Sequence, residues 1–421
     1  MGDNRPEIIT LKIARGISVS LDKELMIHIT MGIAWASMLL FYVRGVVLKL
    51  PFLKDYVDEV HVALVVIPVV LSLPTLIFKF SVFDFLFYIL NVSYLFSCYI
   101  FFPENSNYLD ENALTCVFCI FTYYFVGRVV DIEKYFNYFL TLSSICILAD
   151  LYYFLIYMPQ HKSMNNVDLY DNMWAGYQAL PHVALLLWSM MERFRIWKLL
   201  VFIAGVLFLL SCGTRGPLAC LALFGTIYFL FYMQFKGAAY VKTALIALFT
   251  IFVAYMHTIV SFLGNTFVKL SLSTRILEKF ITGELGDDTY RSSLRDRLND
   301  VLINGSHYWG LGAFGCRNYN IIYPHFLPLD FACTFGYVIG YALFSAISLI
   351  LVYAIWKTRG TRKQIFIILL FCIGYAKLFL SNTFLLEPYF YMLIGVCIRE
   401  AIFSGSSKTD ATALYENKSR L

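Results

Sequence analysis

The stretch PLDFACTFGYVIGYALFSAISLILVYAIW (328–356) carries a single charged residue, Asp330, and none from Phe331 to Trp356. About 20 apolar residues make a helix long enough to cross the hydrocarbon core of a bilayer. The stretch therefore predicts a transmembrane helix. Working outward, runs of similar length recur at roughly 25–45, 59–78, 82–103, 112–130, 135–158, 172–191, 196–213, 216–235, 239–263, 364–383 and 386–404. Together they predict an all-α, polytopic membrane protein with about 12 transmembrane helices.

The composition agrees. Of 421 residues, 60% are apolar and 14% charged, with a mean hydropathy of +0.70. Soluble domains carry roughly 45–50% apolar and about 25% charged residues, so a soluble globular chain is excluded. Aromatic residues reach 18%, with 39 Phe and 30 Tyr. Interfacial belts account for part of this, a sugar-handling cavity for another part, and composition does not separate the two. The net charge of +5 reflects cytoplasmic Lys and Arg, and no nucleic-acid partner follows from it. Among the 10 Cys, Cys116, Cys119, Cys146 and Cys372 fall inside apolar spans, where they read as small buried hydrophobes. The N-terminus shows no cleavable signal pattern.

An even number of spans puts both termini on one side. Lys and Arg gather in the termini and alternate loops, among them Arg5, Lys12, Lys79, Arg128, Arg193, Arg195, Lys236, Arg359, Arg362 and Arg399. The opposite loops 102–113 and 158–172 are acidic or polar. The positive-inside rule then predicts both termini in the cytoplasm. The expected organisation is helices 1 to 9 over 1–263, a periplasmic loop over 264–327, helices 10 to 12 over 328–404 and a cytoplasmic tail over 405–421.

The long outer loop breaks the charge pattern. It carries Lys269, Arg275, Lys279, Arg291, Arg295, Arg297 and Arg317. Long loops partly escape the charge rule, so a tolerated exposed loop and an anion site both remain open. Within it, 287–305 predicts an amphipathic helix, started by Asp287, Asp288 or Thr289 and stopped at Asn304-Gly305. Leu294, Leu298, Val301 and Leu302 share one face. Arg291 and Arg295, four apart, project from a neighbouring stripe, and the helix is expected along the membrane surface. Trp309 to Gly315 reads as a flexible turn. Gly310, Gly312 and Gly315 form a GxGxxG without a strand–helix unit around it, so no nucleotide site follows.

Three residues stand out for chemistry. Arg215, in LLSCGTRGPLACL at the outer end of a span, either snorkels, pairs with a carboxylate such as Asp150, or binds a phosphate at the membrane surface. Gly213 and Gly216 would let backbone approach a ligand there. His325, just outside a span and beside the basic loop, is either structural or a base for a sugar hydroxyl. Lys377, within the 364–383 span, is an intramembrane cation whose partner is expected to be Asp150 or Glu387. His182 reads as a hydrogen-bonded interior His.

SCGTRG (211–216), Arg291 followed by Gly310-Leu311-Gly312, and YPHFLPLDFACTFG (323–336) occur in this order around the long outer loop. Together they resemble the O-antigen polymerase and O-antigen ligase superfamily over roughly residues 170–385. Phe326 stands where that family carries Asn, and Asp330 where it often carries Glu. The resemblance implies a GT-C-like membrane glycosyltransferase in a bacterial inner membrane with a periplasmic active site. Its substrate would be an undecaprenyl-diphosphate-linked oligosaccharide. By the same resemblance Arg215 and Arg291 would neutralise the departing diphosphate without metal or cofactor, and His325 would act as base. Arg295, Arg317, Tyr323, Asp330 and Lys377 would bind substrate. Besides the bilayer, a chain-length regulator is a conceivable partner. A polymerase and a ligase that passes glycan to lipid A–core both fit. A lipid flippase is the reading from another class, although the matching halves expected of a transporter are not evident in the sequence.

Overall fold

The structure is a computed structural model. It describes residues 8–14, 17–22, 56, 81–129, 132–152, 169–232, 255–269, 289–305 and 308–403, with short pieces at 240, 242–243, 246–247, 250, 277–278 and 282. The expected spans at 25–45 and 59–78, ten residues of 239–263 and the tail lie outside these residues. Near the N-terminus, β1 (Ile8–Ala14) and β2 (Ile17–Asp22) pair antiparallel, Ile8 opposite Asp22 and Ala14 opposite Ile17. Ile17-Ser18-Val19-Ser20-Leu21-Asp22 alternates apolar and polar residues, the period of a strand.

The rest of the described chain is helices and turns, as the hydropathy predicts. The helices are α1 (Val82–Phe101), α2 (Ser106–Phe118), α3 (Tyr124–Val129), α4 (Ile132–Tyr152), α5 (Leu169–Glu192), α6 (Ile196–Ser211) and α7 (Arg215–Ile227). They continue with α8 (Met256–Lys269), α9 (Thr289–Ile303), α10 (Leu327–Phe335), α11 (Tyr337–Lys357), α12 (Arg362–Leu370) and α13 (Pro388–Ile398). Four helical stretches among the described residues are long and apolar enough to cross a membrane: Val82–Phe101, Pro103–Val129, Arg215–Tyr232 and Tyr337–Lys357. Phe139–Tyr152 and Ile196–Ser211 are apolar but shorter.

Two expectations of the sequence are corrected. The continuous span at 328–356 is broken: α10 ends at Gly336, whose φ of 87° only glycine adopts readily, and α11 starts anew at Tyr337. A Cβ at Gly336 would lie 2.5 Å from the Tyr308 carbonyl oxygen, so the break is also where the loop before α10 touches the helices. The loop boundary at 264 falls inside α8, which continues to Lys269.

Helix packing depends on close approach. A Cβ at Gly127 would stand 2.1 Å from the Met392 carbonyl oxygen, and one at Gly395 2.1 Å from that of Tyr124. Thus α3 and α13 meet backbone to backbone, the use small residues have between membrane helices.

Charged contacts collect at one end of the bundle. Arg362 reaches Glu192 through two hydrogen bonds, Nε to Oε1 at 3.1 Å and Nη2 to Oε2 at 2.6 Å, and lies over the Phe136 ring. Lys357 donates to the Ala401 carbonyl, and Arg128 stacks on Phe403 at 3.9 Å. Lys198 donates to the carbonyls of Ser189 and Arg193, satisfying the end of α5. Arg128, read from sequence as a loop cation, is buried within α3 and paired with Asp84 of α1. The other ends of α1, α5, α11 and α12 point to the opposite side, where the candidate site lies.

Candidate functional site

The described part of the loop before α10, residues 289–305 and 308–326, is packed rather than free. On α9, Leu298 and Leu302 are fully buried against Leu311, Cys316, Ile321, Leu329, Ala332 and Cys333, with Leu294 and Val301 partly buried. This is the apolar face expected from their spacing. Of the segment Trp309–Gly315, expected to be a flexible turn, every residue from Gly310 on is buried. The Leu311 N–H donates to the Cys333 carbonyl at 2.6 Å, and the Leu311 carbonyl accepts from Asn105 Nδ2 at 2.7 Å. Ala313 N–H points at Cys98 Sγ at 3.4 Å. Gly312 has a φ of 75° and would drive a Cβ to 2.6 Å from the Phe102 ring. Its glycines serve close packing, and burial pushes the Cys316 thiol up to about 12. Trp309, in contrast, is 81% exposed.

The segment after this loop positions His325. Its backbone is left-handed, with φ 56°, a conformation that costs a non-glycine residue roughly 1–3 kcal/mol and clusters at functional sites. Its Nδ1 lies 3.0 Å from the Leu380 carbonyl oxygen. A carbonyl only accepts, so Nδ1 carries the proton and, in the neutral ring, the lone pair falls on Nε2. The Tyr323 ring packs on the imidazole at 4.4 Å.

Three hydroxyls from three parts of the chain join beside it. Tyr323 shares a hydrogen bond of 3.2 Å with Ser381, and Ser381 is also bonded to Tyr177 of α5. The N-terminus of α7 closes on the same point. A Cβ at Gly216 would lie 1.7 Å from the Tyr177 hydroxyl oxygen, so only glycine lets α7 approach there. Arg215 is thus the first residue of a helix that abuts this chain, where the helix dipole adds to its charge. Arg291 of α9 lies within electrostatic range of the Tyr177 hydroxyl. Arg295, one turn on, lies over the Phe326 ring at 5.9 Å, and Phe326 packs edge-on against Phe379. The structure therefore brings Arg215, Arg291, Arg295, Tyr323 and His325 to one neighbourhood.

Lys377 is buried there too. Its Nζ pairs with Glu387 Oε2 and sits 4.7 Å over the Tyr177 ring. Of the two partners expected from sequence, Glu387 is the one found. Asp150 is buried elsewhere, with Oδ2 lacking a hydrogen-bond partner among the described residues. His182 lies 3.1 Å from Ser143 in the interior, as expected.

Two residues expected at the site are placed otherwise. Arg317 packs over Tyr108 and Phe314 and lies 3.8 Å from Glu111, on the side of α2. The loop winds back between Gly315 and Tyr319, and this turns its side chain away from the 323–326 segment. Asp330 is buried and spends its carboxylate on protein donors, accepting from the Phe384 N–H at 2.9 Å and from Thr383. Conversely, Tyr177 and Ser381 were not singled out from the sequence. The polar run Ser381-Asn382-Thr383 inside an apolar stretch was the available signal for Ser381. Tyr177, one of 30 tyrosines, had none.

Among the described residues no group of three or more His, Cys, Asp or Glu stands where it could hold a metal. Comparisons of the chain with protein-family models, with curated proteins and with solved structures found no match.

Proposed function

We propose that the chain is a membrane-embedded glycosyltransferase that polymerises polysaccharide from polyprenyl-diphosphate-linked oligosaccharide. The observation that supports this is the meeting of a cationic helix N-terminus (Arg215), a second arginine helix (Arg291) and a tautomer-fixed imidazole (His325) around one hydroxyl chain. In the reaction an acceptor sugar hydroxyl attacks the donor's anomeric carbon. The bond from that carbon to the phosphate oxygen breaks, and the lipid diphosphate leaves with the electron pair. His325 Nε2 takes the hydroxyl proton, while Arg215 and Arg291 stabilise the negative charge that grows on the leaving group. Tyr177, Tyr323 and Ser381 offer hydroxyls to the sugars.

The reading carries with it about 12 spans, both termini in the cytoplasm and a periplasmic site in a bacterial inner membrane. A chain-length regulator belongs to the same proposal. The test is glycan-ladder synthesis by the purified chain supplied with lipid-linked repeat units alone. Wild type is expected to give a ladder. Arg215→Ala, Arg291→Ala and His325→Ala, each present in the membrane at wild-type amount, are expected to leave single repeats. A ladder of wild-type length in all three sinks the proposal. Product that forms only when a lipid A–core acceptor is added makes the chain a ligase instead.

A further inference from the structure

The base does not hold itself in place. Its Nδ1–H is accepted by the Leu380 carbonyl, and Leu380 belongs to a turn that ends one helical stretch and starts another. Leu380 and Ser381 donate back to the Lys377 carbonyl at 2.8 and 2.9 Å, and Asn382 is left-handed with φ 74°. Thr383 then caps a short 3₁₀ helix, Phe384–Leu386, its hydroxyl oxygen accepting from the Leu385 N–H. These bonds are all local to residues 377–385, so the turn is held in place from outside them.

Asp330 supplies an anchor. Its carboxylate accepts from the Phe384 N–H at 2.9 Å and from the Thr383 hydroxyl. The neighbouring Phe331 ring stacks on Phe384 at 4.3 Å with planes 7° apart. Both contacts come from α10, whose first residue directly follows the His325-Phe326 segment. One rigid helix therefore fixes both the strained backbone that carries the imidazole and the turn that carries its acceptor.

We propose that Asp330 is a positioning residue for His325: by anchoring the Thr383–Phe384 backbone it aims the Leu380 carbonyl at Nδ1 and so keeps the lone pair of the base on Nε2. This rests on the glycosyltransferase reading and replaces the substrate-binding role expected of Asp330. Partners that orient an imidazole from behind contribute roughly ten- to a hundredfold when removed. Ser381 sits in the same turn, so the anchor also sets the hydroxyl between Tyr177 and Tyr323.

The experiment measures ladder synthesis by the full-length protein in proteoliposomes across pH, with polyprenyl-diphosphate-linked oligosaccharide as the substrate. Asp330→Asn keeps an oxygen for the Phe384 N–H and is expected to stay within about threefold of wild type with an unchanged profile. Asp330→Leu removes the acceptor and is expected to lose roughly ten- to a hundredfold in rate. The acid limb of its profile moves to lower pH, because an imidazolium without its carbonyl acceptor gives up its proton more readily. Loss of folded protein alone lowers the rate without moving the limb. Should Asp330→Leu fail to accumulate, Thr383→Val removes one donor to the same carboxylate, and the limb is read there in the same way. An unchanged limb, or wild-type activity in Asp330→Leu, overturns the positioning role while wild-type ladders leave the function standing. A wild-type protein that makes no ladder overturns both.

Discussion

Two buried ion pairs lie at opposite ends of the helices and are built differently. At the charged end, Asp84 accepts from Ser81 N and Oγ at 2.9 and 2.7 Å, from Tyr124 at 2.7 Å, and from Arg128 Nε and Nη2 at 2.7 and 3.2 Å. Both its oxygens are saturated, and the pair ties α1 to α3. At the other end, Glu387 receives Lys377 and Asn382 on Oε2, while Oε1 has no hydrogen-bond partner among the described residues. Both carboxylates are fully buried. A buried charge is tolerated when every lone pair is met and is costly when it is not. The saturated pair acts as a clamp. The half-met one stands beside Tyr177, where the arrangement of the site outweighs local stability, as expected where sequences break local rules.

Mutations can test this contrast. Removing Arg128 strands the buried Asp84 charge, so Arg128→Ala is expected to destabilise the protein by about 3–5 kcal/mol. A thermal-unfolding midpoint in detergent close to wild type would dissolve the clamp. Asn382→Ala deletes one of the two donors to Glu387, and alanine adopts a φ of 74° poorly. A loss of about 1–3 kcal/mol is expected in the same assay, and no loss would mean that Lys377 alone supports Glu387. The smallest change in stability is expected from the double substitution Lys377→Met with Glu387→Leu. Exchanging a buried pair for apolar residues of similar volume is often neutral or stabilising, so the midpoint should hold. Ladder synthesis should still fall, because Tyr177 loses the cation above its ring. A strongly lowered midpoint would make the second pair a clamp like the first.

The sequence revealed the elements better than their joints. Periodicity placed α9 within two residues of its ends and assigned its buried face. The cost of an intramembrane cation led to Glu387 as one of two partners for Lys377. Hydropathy missed the break at Gly336, because the residues on both sides are equally apolar and the break comes from a backbone contact with Tyr308. It misjudged the Trp309–Gly315 turn for the same reason: glycines that permit a turn also permit close packing, and only the partner surface decides. At the site, Arg215, Arg291 and His325 were legible as charged or titratable groups in apolar or loop settings. Tyr177 was not, since a tyrosine in a membrane helix has many ordinary uses. Arg317 was misplaced because a basic residue in a basic loop says nothing about which way the loop turns.

The seat of the loop before α10 also bears on how the chain is made. Asn105 of the α1–α2 turn meets Leu311, 206 residues later, Cys98 meets Ala313 after 215, and Tyr94 meets Thr334 after 240. At roughly 5–20 residues per second of synthesis, the first described helices stand in the membrane for on the order of 10–50 s before these partners exist. During that interval the Asn105 amide and the Tyr94 hydroxyl must be met by water or by the insertion machinery. The candidate site is therefore among the last parts of the protein that can assemble, and a chain truncated before residue 311 cannot form it.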